Sequence, residues 1–302
     1  MDGQVAELAD AHGSGPCGRK ALGVQVPPCP RLALFLAVLL TALSAAAPIV
    51  RAQEPLQYPP PPEEPDARQK AAQPPPVTLD QALLEAKSAN AVERRQGASD
   101  LGLLRVKAAS GTLVDMLLND PDSSARQAAA ISLAMVGAQS AAPELIKALQ
   151  DKDEAVRLSS IESLGILKAS SAEEDLIKLL QSPDLATARA SAMALGLIGS
   201  PKAAGALKAA LQSRDEGVRV EAAVALASLG DASGLAAARQ LLQNSKSSWV
   251  RMRAAYAISL MGTSADVNLL ATAILKERDP AARRALLQSQ KMLEAKTAAS
   301  AP

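Results

Sequence analysis

The sequence predicts an all-helical solenoid, and two observations support this prediction. An arginine recurs about every 31 residues, a period typical of stacked helical repeats, and a similar run of small apolar residues follows it. Of the 302 residues, 48% are hydrophobic but only 1% are aromatic. Ala and Leu, both strong helix formers, must therefore fill the interior. The recurring arginines are Arg94, Arg126, Arg157, Arg189 (one position late), Arg219, Arg251 and Arg283.

Residues 1–30 are predicted to be a disordered leader or to precede the true start of the protein. A signal peptide does not normally begin so far upstream of its positive charge, and this stretch resembles a transfer-RNA gene translated as protein. No second Met precedes Met116, so we expect translation to start at a Val or Leu codon such as Val24 or Val26. His12, the only histidine, would then be absent from the protein.

Residues 31–52 have the pattern of a secretory signal peptide. Arg31 precedes a run of apolar residues, and small or branched side chains flank a predicted cleavage site after Ala52. The sequence therefore predicts a periplasmic or secreted protein. The alternative is an uncleaved N-terminal membrane anchor, because about 19 apolar residues are enough to span a bilayer.

Residues 53–77 are rich in proline and are predicted to be an extended linker. Proline-rich segments adopt the polyproline II conformation and act as semi-rigid spacers. Two interpretations stay open at this point, a tether for the folded part or a docking motif for a proline-binding partner.

Residues 78–296 are predicted to form the folded repeats, followed by a disordered tail over residues 297–302. Thr78 and Gln81 have the spacing of a capping box, so a terminal helix should cover the first repeat. In five of the seven repeats, an Asp or Asn four residues before the arginine suits the N-cap of a first helix. A glycine then ends this helix in the left-handed conformation. The caps are Asn90, Asp122, Asp153, Asp215 and Asp279, and the glycines are Gly137, Gly199, Gly230 and Gly262.

A second helix follows each glycine, with an apolar face such as that of Leu145, Ile146 and Leu149. Two helices of about twelve residues cannot bury their apolar faces alone, so stacking on neighbouring repeats should complete the core.

The pattern V-R-x-x-A-A-x-A-L-G-x-I-G resembles the HEAT repeat, in the short bacterial form named after phycobilisome lyases. The resemblance covers roughly Ala91–Leu293. It implies a right-handed α-solenoid of about six HEAT-type helix pairs plus terminal capping helices. In HEAT arrays an Asp and an Arg of adjacent repeats form ladders between helices. The resemblance assigns this ladder to Asp122, Arg126, Asp153, Arg157, Asp215, Arg219, Arg251, Asp279 and Arg283.

The folded part has no histidine and no cysteine, since Cys17 and Cys29 both lie in the leader. The di-iron site of deoxyhypusine hydroxylase, a HEAT enzyme, needs His-Glu pairs, and most zinc sites need His or Cys. The sequence therefore predicts no catalytic residue, no metal site and no cofactor. From Val77 onward 26 basic residues oppose 24 acidic ones. This balance argues against nucleic-acid binding, which requires a basic stripe.

Two surface features are candidates for binding a partner protein. The second helices carry one basic residue per repeat, and the resemblance implies that these helices line the concave side, where the residues would form a basic stripe. Trp249 occupies a position that is small in other repeats, and Tyr256 lies seven residues later on the same helical face, so both are candidate aromatic anchors. The stripe residues are Lys147, Lys178, Lys208 and Arg239. The alternatives are solvated lysines and an aromatic pair that only packs on its neighbours.

These observations predict an exported, non-catalytic scaffold or adaptor that presents a concave helical surface to a partner protein of the cell envelope. Contact with a membrane is expected only through an uncleaved signal segment. Two other functions stay open, a HEAT-type enzyme of the lyase or oxidoreductase class and a mechanical spacer of the envelope.

Overall fold

The computed structural model describes residues 77–299, and the predicted leader, signal peptide and most of the linker lie outside this range. The described part contains 14 α-helices and no strand, which confirms the predicted all-helical fold. The last helix ends at Ala299, so the first residues of the predicted tail, 297–299, are helical. None of the described helices is both long and apolar enough to cross a membrane.

Seven helices carry the recurring arginine at or next to its expected position, and we call them the arginine helices. They are α2 (Ala91–Leu104), α4 (Ser123–Met135), α6 (Glu154–Ile166), α8 (Leu185–Ile198), α10 (Glu216–Ser228), α12 (Ser248–Met261) and α14 (Pro280–Ala299).

The other helices alternate with them, and α1 (Leu79–Glu85) precedes the first arginine helix. The six connecting helices are α3 (Ser110–Asn119), α5 (Ala142–Ala148), α7 (Glu173–Leu179), α9 (Ala204–Ala210), α11 (Leu235–Asn244) and α13 (Ala265–Lys276). Several are shorter than the predicted twelve residues, because their first turn is a separate 3-10 turn, such as Gln139–Ala141 before α5.

The predicted N-caps are confirmed. The side chains of Asn90, Asp122, Asp153 and Asp215 each accept a hydrogen bond from a backbone amide in the first turn of an arginine helix. Asp279 accepts from the amides of Ala281 and Ala282 in the same way. Asp184 and Ser247 also cap their helices, although the spacing rule missed both. In every repeat a capping side chain thus accepts a hydrogen bond from one or two of the backbone amides that have no partner within the helix.

The predicted glycine ends are confirmed at three of four positions. Gly137, Gly199 and Gly230 have φ angles of 69°, 77° and 77°, in the left-handed region that other residues rarely adopt. Gly262 is different, because its φ of −68° and ψ of 173° are extended. The prediction for Gly262 is therefore wrong, and the chain there passes without a 3-10 turn into α13.

The described helices form two layers. Successive arginine helices pack directly on one another, and each connecting helix packs mainly on the arginine helix that follows it. Small residues permit the close approach, since a Cβ added to Gly165 would lie 2.8 Å from Cα of Ala194 in the next arginine helix. Each of the first five arginine helices also has one completely buried leucine, namely Leu101, Leu133, Leu164, Leu195 and Leu226.

Candidate protein-binding surface

The recurring arginines link each repeat to the next. Nε and Nη2 of Arg126 donate to the two carboxylate oxygens of Asp151, at 2.7 and 2.8 Å. Nη1 of the same side chain donates to the backbone carbonyls of Asp120 and Pro121, in the loop before its own helix. Arg94 and Asp120 pair in the same way, as do Arg251 and Glu277. Each of these three arginines thus binds the loop before its own helix and an acid in the loop of the next repeat.

The acids of this ladder differ from those expected. The predicted partners Asp122, Asp153 and Asp279 are N-caps, and their oxygens accept backbone amides of the first helical turn. The carboxylates that receive the arginines are Asp120, Asp151 and Glu277, two residues before these caps. A second acid two residues before the cap was the signal in the sequence that could have identified them.

The ladder is interrupted in the middle of the repeats, where the residue two before the cap is serine. Ser182, Ser213 and Ser245 still accept the amide of the capping residue, as the ladder acids do. They cannot form the ion pair. Arg157 therefore keeps only the bonds to the carbonyls of its own loop, whereas Arg219 has, besides its loop bonds, a contact of 3.9 Å with Glu216 of its own helix. Arg283 donates to the carbonyl of Glu277 in its own loop.

The ion pairs shift the pKa values of the groups that form them. The hydrogen bond from Arg126 holds the pKa of the Asp151 carboxyl below its usual value, and Arg251 does the same for Glu277. The charged form is the one stabilised, because each carboxylate receives two donors of a fixed guanidinium fork. The ladder acids are therefore ionised at neutral pH.

The four predicted stripe residues lie on connecting helices, and three of them already have acidic partners. Lys208 lies 2.8 Å from Asp231, and Arg239 forms two hydrogen bonds with Asp266 of the next repeat. Lys178 lies 3.4 Å from Asp175 of its own helix. The bond from Lys208 lowers the pKa of Asp231 to about 2. Because these acids compensate most of the positive charge, the structure does not support a continuous basic stripe.

Within residues 77–299, Lys147 forms no ion pair, so it alone among the four keeps an uncompensated charge. The two layers also differ in packing, since successive arginine helices pack closely on one another and successive connecting helices do not.

The exposed side of the arginine helices is largely apolar. Large apolar side chains on four of them are only partly buried, and several, such as Leu158, Met252 and Tyr256, also pack against the buried core. We call this surface the apolar face, and it consists of Ile131, Met135, Leu158, Ile166, Met193, Leu197, Trp249, Met252, Tyr256 and Leu260. Its most exposed members are Ile166 and Trp249, at 38% each. Contiguous exposed apolar surface is typical of sites for protein partners.

Trp249 lies at one end of the apolar face and is 38% exposed. The guanidinium of Arg189 lies over its ring, with Cζ 5.9 Å from the ring centroid, which is a cation–π distance. Gly217 makes the contact possible, because a Cβ there would lie 2.5 Å from Cδ of Arg189. The displacement of Arg189 by one position thus removes it from the ladder, where Ala188 is buried instead, and places it on the apolar face.

Tyr256 lies two turns after Trp249 on the same face of α12 and is half-buried. Cζ of Arg253 lies 5.7 Å from its ring centroid, and Nε of Arg253 donates to Glu221 at 2.7 Å. Burial raises the pKa of the Tyr256 hydroxyl, an effect that the charge of Arg253 opposes. The structure thus brings the two predicted anchors, Trp249 and Tyr256, together with two arginines, and separates them from the predicted stripe residues in the other layer.

Glu162 is the acidic residue in the middle of the apolar face. Burial raises the pKa of its carboxyl, since apolar neighbours disfavour the charged form. In the described residues no group of three or more His, Cys, Asp and Glu side chains lies close enough to hold a metal ion.

Comparison with known proteins identifies one family. The family model described as HEAT repeats matches residues 79–165, 142–220 and 205–290. The comparison with curated protein sequences gave no match.

Several solved structures are similar to this chain. The complex of CpcE and CpcF of phycocyanin lyase from Nostoc sp. PCC7120 matches with a TM-score of 0.57 and 22% identity, over 80% of this chain and 100% of that one. The Escherichia coli protein YibA matches with a TM-score of 0.46 and 21% identity, over 72% and 81% of the two chains. Human deoxyhypusine hydroxylase matches with a TM-score of 0.37 and 18% identity, over 72% and 84%. At these identities the first similarity shows the fold alone.

Proposed function

Because the chain belongs to the HEAT repeat family, we propose that it is a non-catalytic scaffold that binds a partner protein on the apolar face of its arginine helices. The observation on which this proposal depends is the position of the two aromatic residues of the described part. Trp249 and Tyr256 both lie on this face, and Trp249 is exposed although the core consists almost entirely of Ala and Leu.

The energetics of protein interfaces favour this surface. Trp, Tyr and Arg are the residues that most often dominate binding energy, particularly where apolar neighbours surround them. Here Arg189 and Arg253 are already held against the aromatic rings, so little side-chain freedom is lost on binding. The connecting helices present mostly charges that are already paired, and such a surface gains little from contact with a partner.

We also propose that the protein is exported and meets this partner in the cell envelope. The support is the apolar run at residues 32–50 with the predicted cleavage site after Ala52. N-terminal sequencing of the protein from a periplasmic fraction should give Gln53 as the first residue. Recovery of the uncut chain from the membrane fraction would favour the anchored alternative.

Crosslinking in intact cells tests the binding surface. A photoreactive residue in place of Met193, on the apolar face, should crosslink to a partner protein, whereas the same residue in place of Leu275 should not. Leu275 is a suitable control because it is 86% exposed and lies on connecting helix α13.

Matched substitutions then measure the contribution of the face. We expect Met193→Glu to weaken capture of the crosslinked partner at least about tenfold, since a charge on an apolar interface must be desolvated. Leu275→Glu should leave capture unchanged. If reversal of charge at Lys147, Lys178 and Lys208 weakens capture and Met193→Glu does not, the stripe is the binding surface and this proposal is wrong.

A further inference from the structure

The interruption of the ladder leaves part of one arginine unused. Nη1 of Arg157 donates to the carbonyls of Asp151 and Lys152, at 2.8 and 3.2 Å, as the equivalent atom of Arg126 does in its own loop. In Arg126 the opposite edge, Nε and Nη2, holds a carboxylate. Within the described residues that edge of Arg157 has no acceptor, because Ser182 stands where an acid would be.

A cavity of about 180 Å³ lies at this position. Arg157, Ser182 and Thr187 contribute polar atoms to its wall, and Leu149, Ile161 and Leu179 contribute apolar ones. The volume is several times the share of one water molecule in the liquid, about 30 Å³, so a small organic group fits.

Asp184 also borders the cavity, and the hydrogen bonds from Thr187, with a smaller effect from the charge of Arg157, lower the pKa of its carboxyl, but no hydrogen bond joins Arg157 to Asp184. Its oxygens accept the amides of Ala186 and Thr187 and the hydroxyl of Thr187. A capping carboxylate in this position leaves room for a second carboxylate beside it, as the equivalent loop of another repeat shows. Arg126 holds Asp151 while Asp153, the residue equivalent to Asp184, caps the helix beside it.

The two other serine positions lack this combination. Before Ser213, the arginine helix α8 has Ala188 in the position of the ladder arginine, so no arginine of the preceding repeat occupies the ladder position toward this loop, and Arg219 of the following helix donates to the Ser213 carbonyl. At Ser245 an acid is already present, because the serine hydroxyl donates to Glu216, whose carboxylate lies 3.9 Å from Arg219. Arg157 therefore combines a free guanidinium edge with an adjoining cavity.

We propose that the Arg157 cavity is a binding site for a single carboxylate, held by Nε and Nη2 of Arg157 in the geometry of the Arg126–Asp151 pair. The carboxylate comes either from a small free acid or from an Asp or Glu side chain of a bound protein. The site is independent of the proposed apolar face, since none of the residues that define that face borders the cavity.

Nuclear magnetic resonance on the full-length protein tests the site directly. The ¹⁵Nε–¹Hε signal of Arg157, assigned with the Arg157→Lys variant, should shift saturably when sodium acetate is added. Sodium chloride at the same ionic strength should not reproduce the shift. N-acetyl-aspartyl amide serves as the second probe, because it carries the side-chain carboxylate of a protein without a free terminus.

Two serine variants provide a matched comparison. Ser182→Asp should supply the missing carboxylate, raise the melting temperature by about 2–4 °C and abolish the response of Arg157 to acetate. Ser213→Asp makes the same change in a loop toward which the preceding repeat has Ala188 in place of a ladder arginine. It should leave both the melting temperature and the acetate response of Arg157 close to those of the natural protein.

The results separate the possibilities. A response to acetate alone identifies a site for a free acid, and an equal or stronger response to N-acetyl-aspartyl amide identifies a site for a protein side chain. The proposal is overturned if neither probe shifts the Arg157 signal, if chloride shifts it equally, or if the acetate response survives in Ser182→Asp. None of these outcomes depends on the crosslinking from Met193.

Discussion

At the scale of single residues, one amino-acid type has three different roles in this protein. Arg126 is 4% exposed and joins two repeats through Asp151. Arg157 fastens only its own loop and keeps one edge unpaired by any described residue. Arg189, displaced by one position, lies on Trp249. The recurring arginine is thus defined by its position in the repeat, but its role depends on which side chain the next repeat offers.

The difference between the first two roles can be measured as stability. We expect Arg126→Met to lower the free energy of unfolding by about 3 kcal/mol, because it leaves the Asp151 carboxylate without its partner in a mostly buried site. Arg157→Met should cost only about 1 kcal/mol, since it removes hydrogen bonds to carbonyls that water can replace. Urea unfolding monitored by circular dichroism gives both values, and equal losses would contradict the assigned roles.

At the scale of helices, the first turn and the packing face follow different rules. The first turn of each arginine helix depends on a local side chain, such as Asp122 or Asp153, that accepts backbone amides. The packing face depends on small residues, because successive arginine helices approach until only glycine or alanine fits between them. Gly196 is an example, since a Cβ there would lie 2.8 Å from Cα of Ala225.

This close approach predicts opposite effects of one substitution at two helical glycines. Gly205→Ala in α9 should stabilise the protein by about 0.5 kcal/mol, because the added Cβ meets nothing within 4 Å and alanine favours the helix. Gly196→Ala should destabilise it by about 1–3 kcal/mol, because the neighbouring backbone must move. Thermal unfolding of the two variants compares them, and stabilisation by both would show that the α8–α10 contact is looser than described.

At the scale of the described unit, the buried residues form two clusters that meet in α10. The first contains residues from Ala82 to Leu226, and the second contains residues from Val220 to Leu293. Contacts in a stack of repeats are made between neighbours, so the energy of each cluster is local. Damage to one end of the stack should therefore spread only partway along it.

Leu133→Ala, in a completely buried position of the first cluster, should cost about 3 kcal/mol. Hydrogen exchange measured by mass spectrometry should become faster in α2, α4 and α6 and stay unchanged in α12 and α14. Ile258→Ala, equally buried in the second cluster, is the matched control and should give the reverse pattern. Faster exchange along the whole stack after either substitution would indicate a single cooperative unit.

The sequence by itself determined the class of fold, the position of each arginine helix and most of its caps. These features depend on residues a few positions apart, such as Asp122 and the amides of Ser124 and Ala125, so the local pattern is sufficient. The sequence also identified Trp249 and Tyr256 as unusual, because nearly every other large apolar residue of the repeats is aliphatic.

Only the tertiary structure decided which side chains meet between repeats. Arg126 binds Asp151 and not the cap Asp153, and Arg189 reaches Trp249 across Gly217. These partners come from different repeats, and their meeting depends on how far one helix is displaced and rotated against the next. A period of about 31 residues shows that the repeats are equivalent, but it does not specify how far one helix is displaced against the next. The packing of small side chains between the helices sets that displacement.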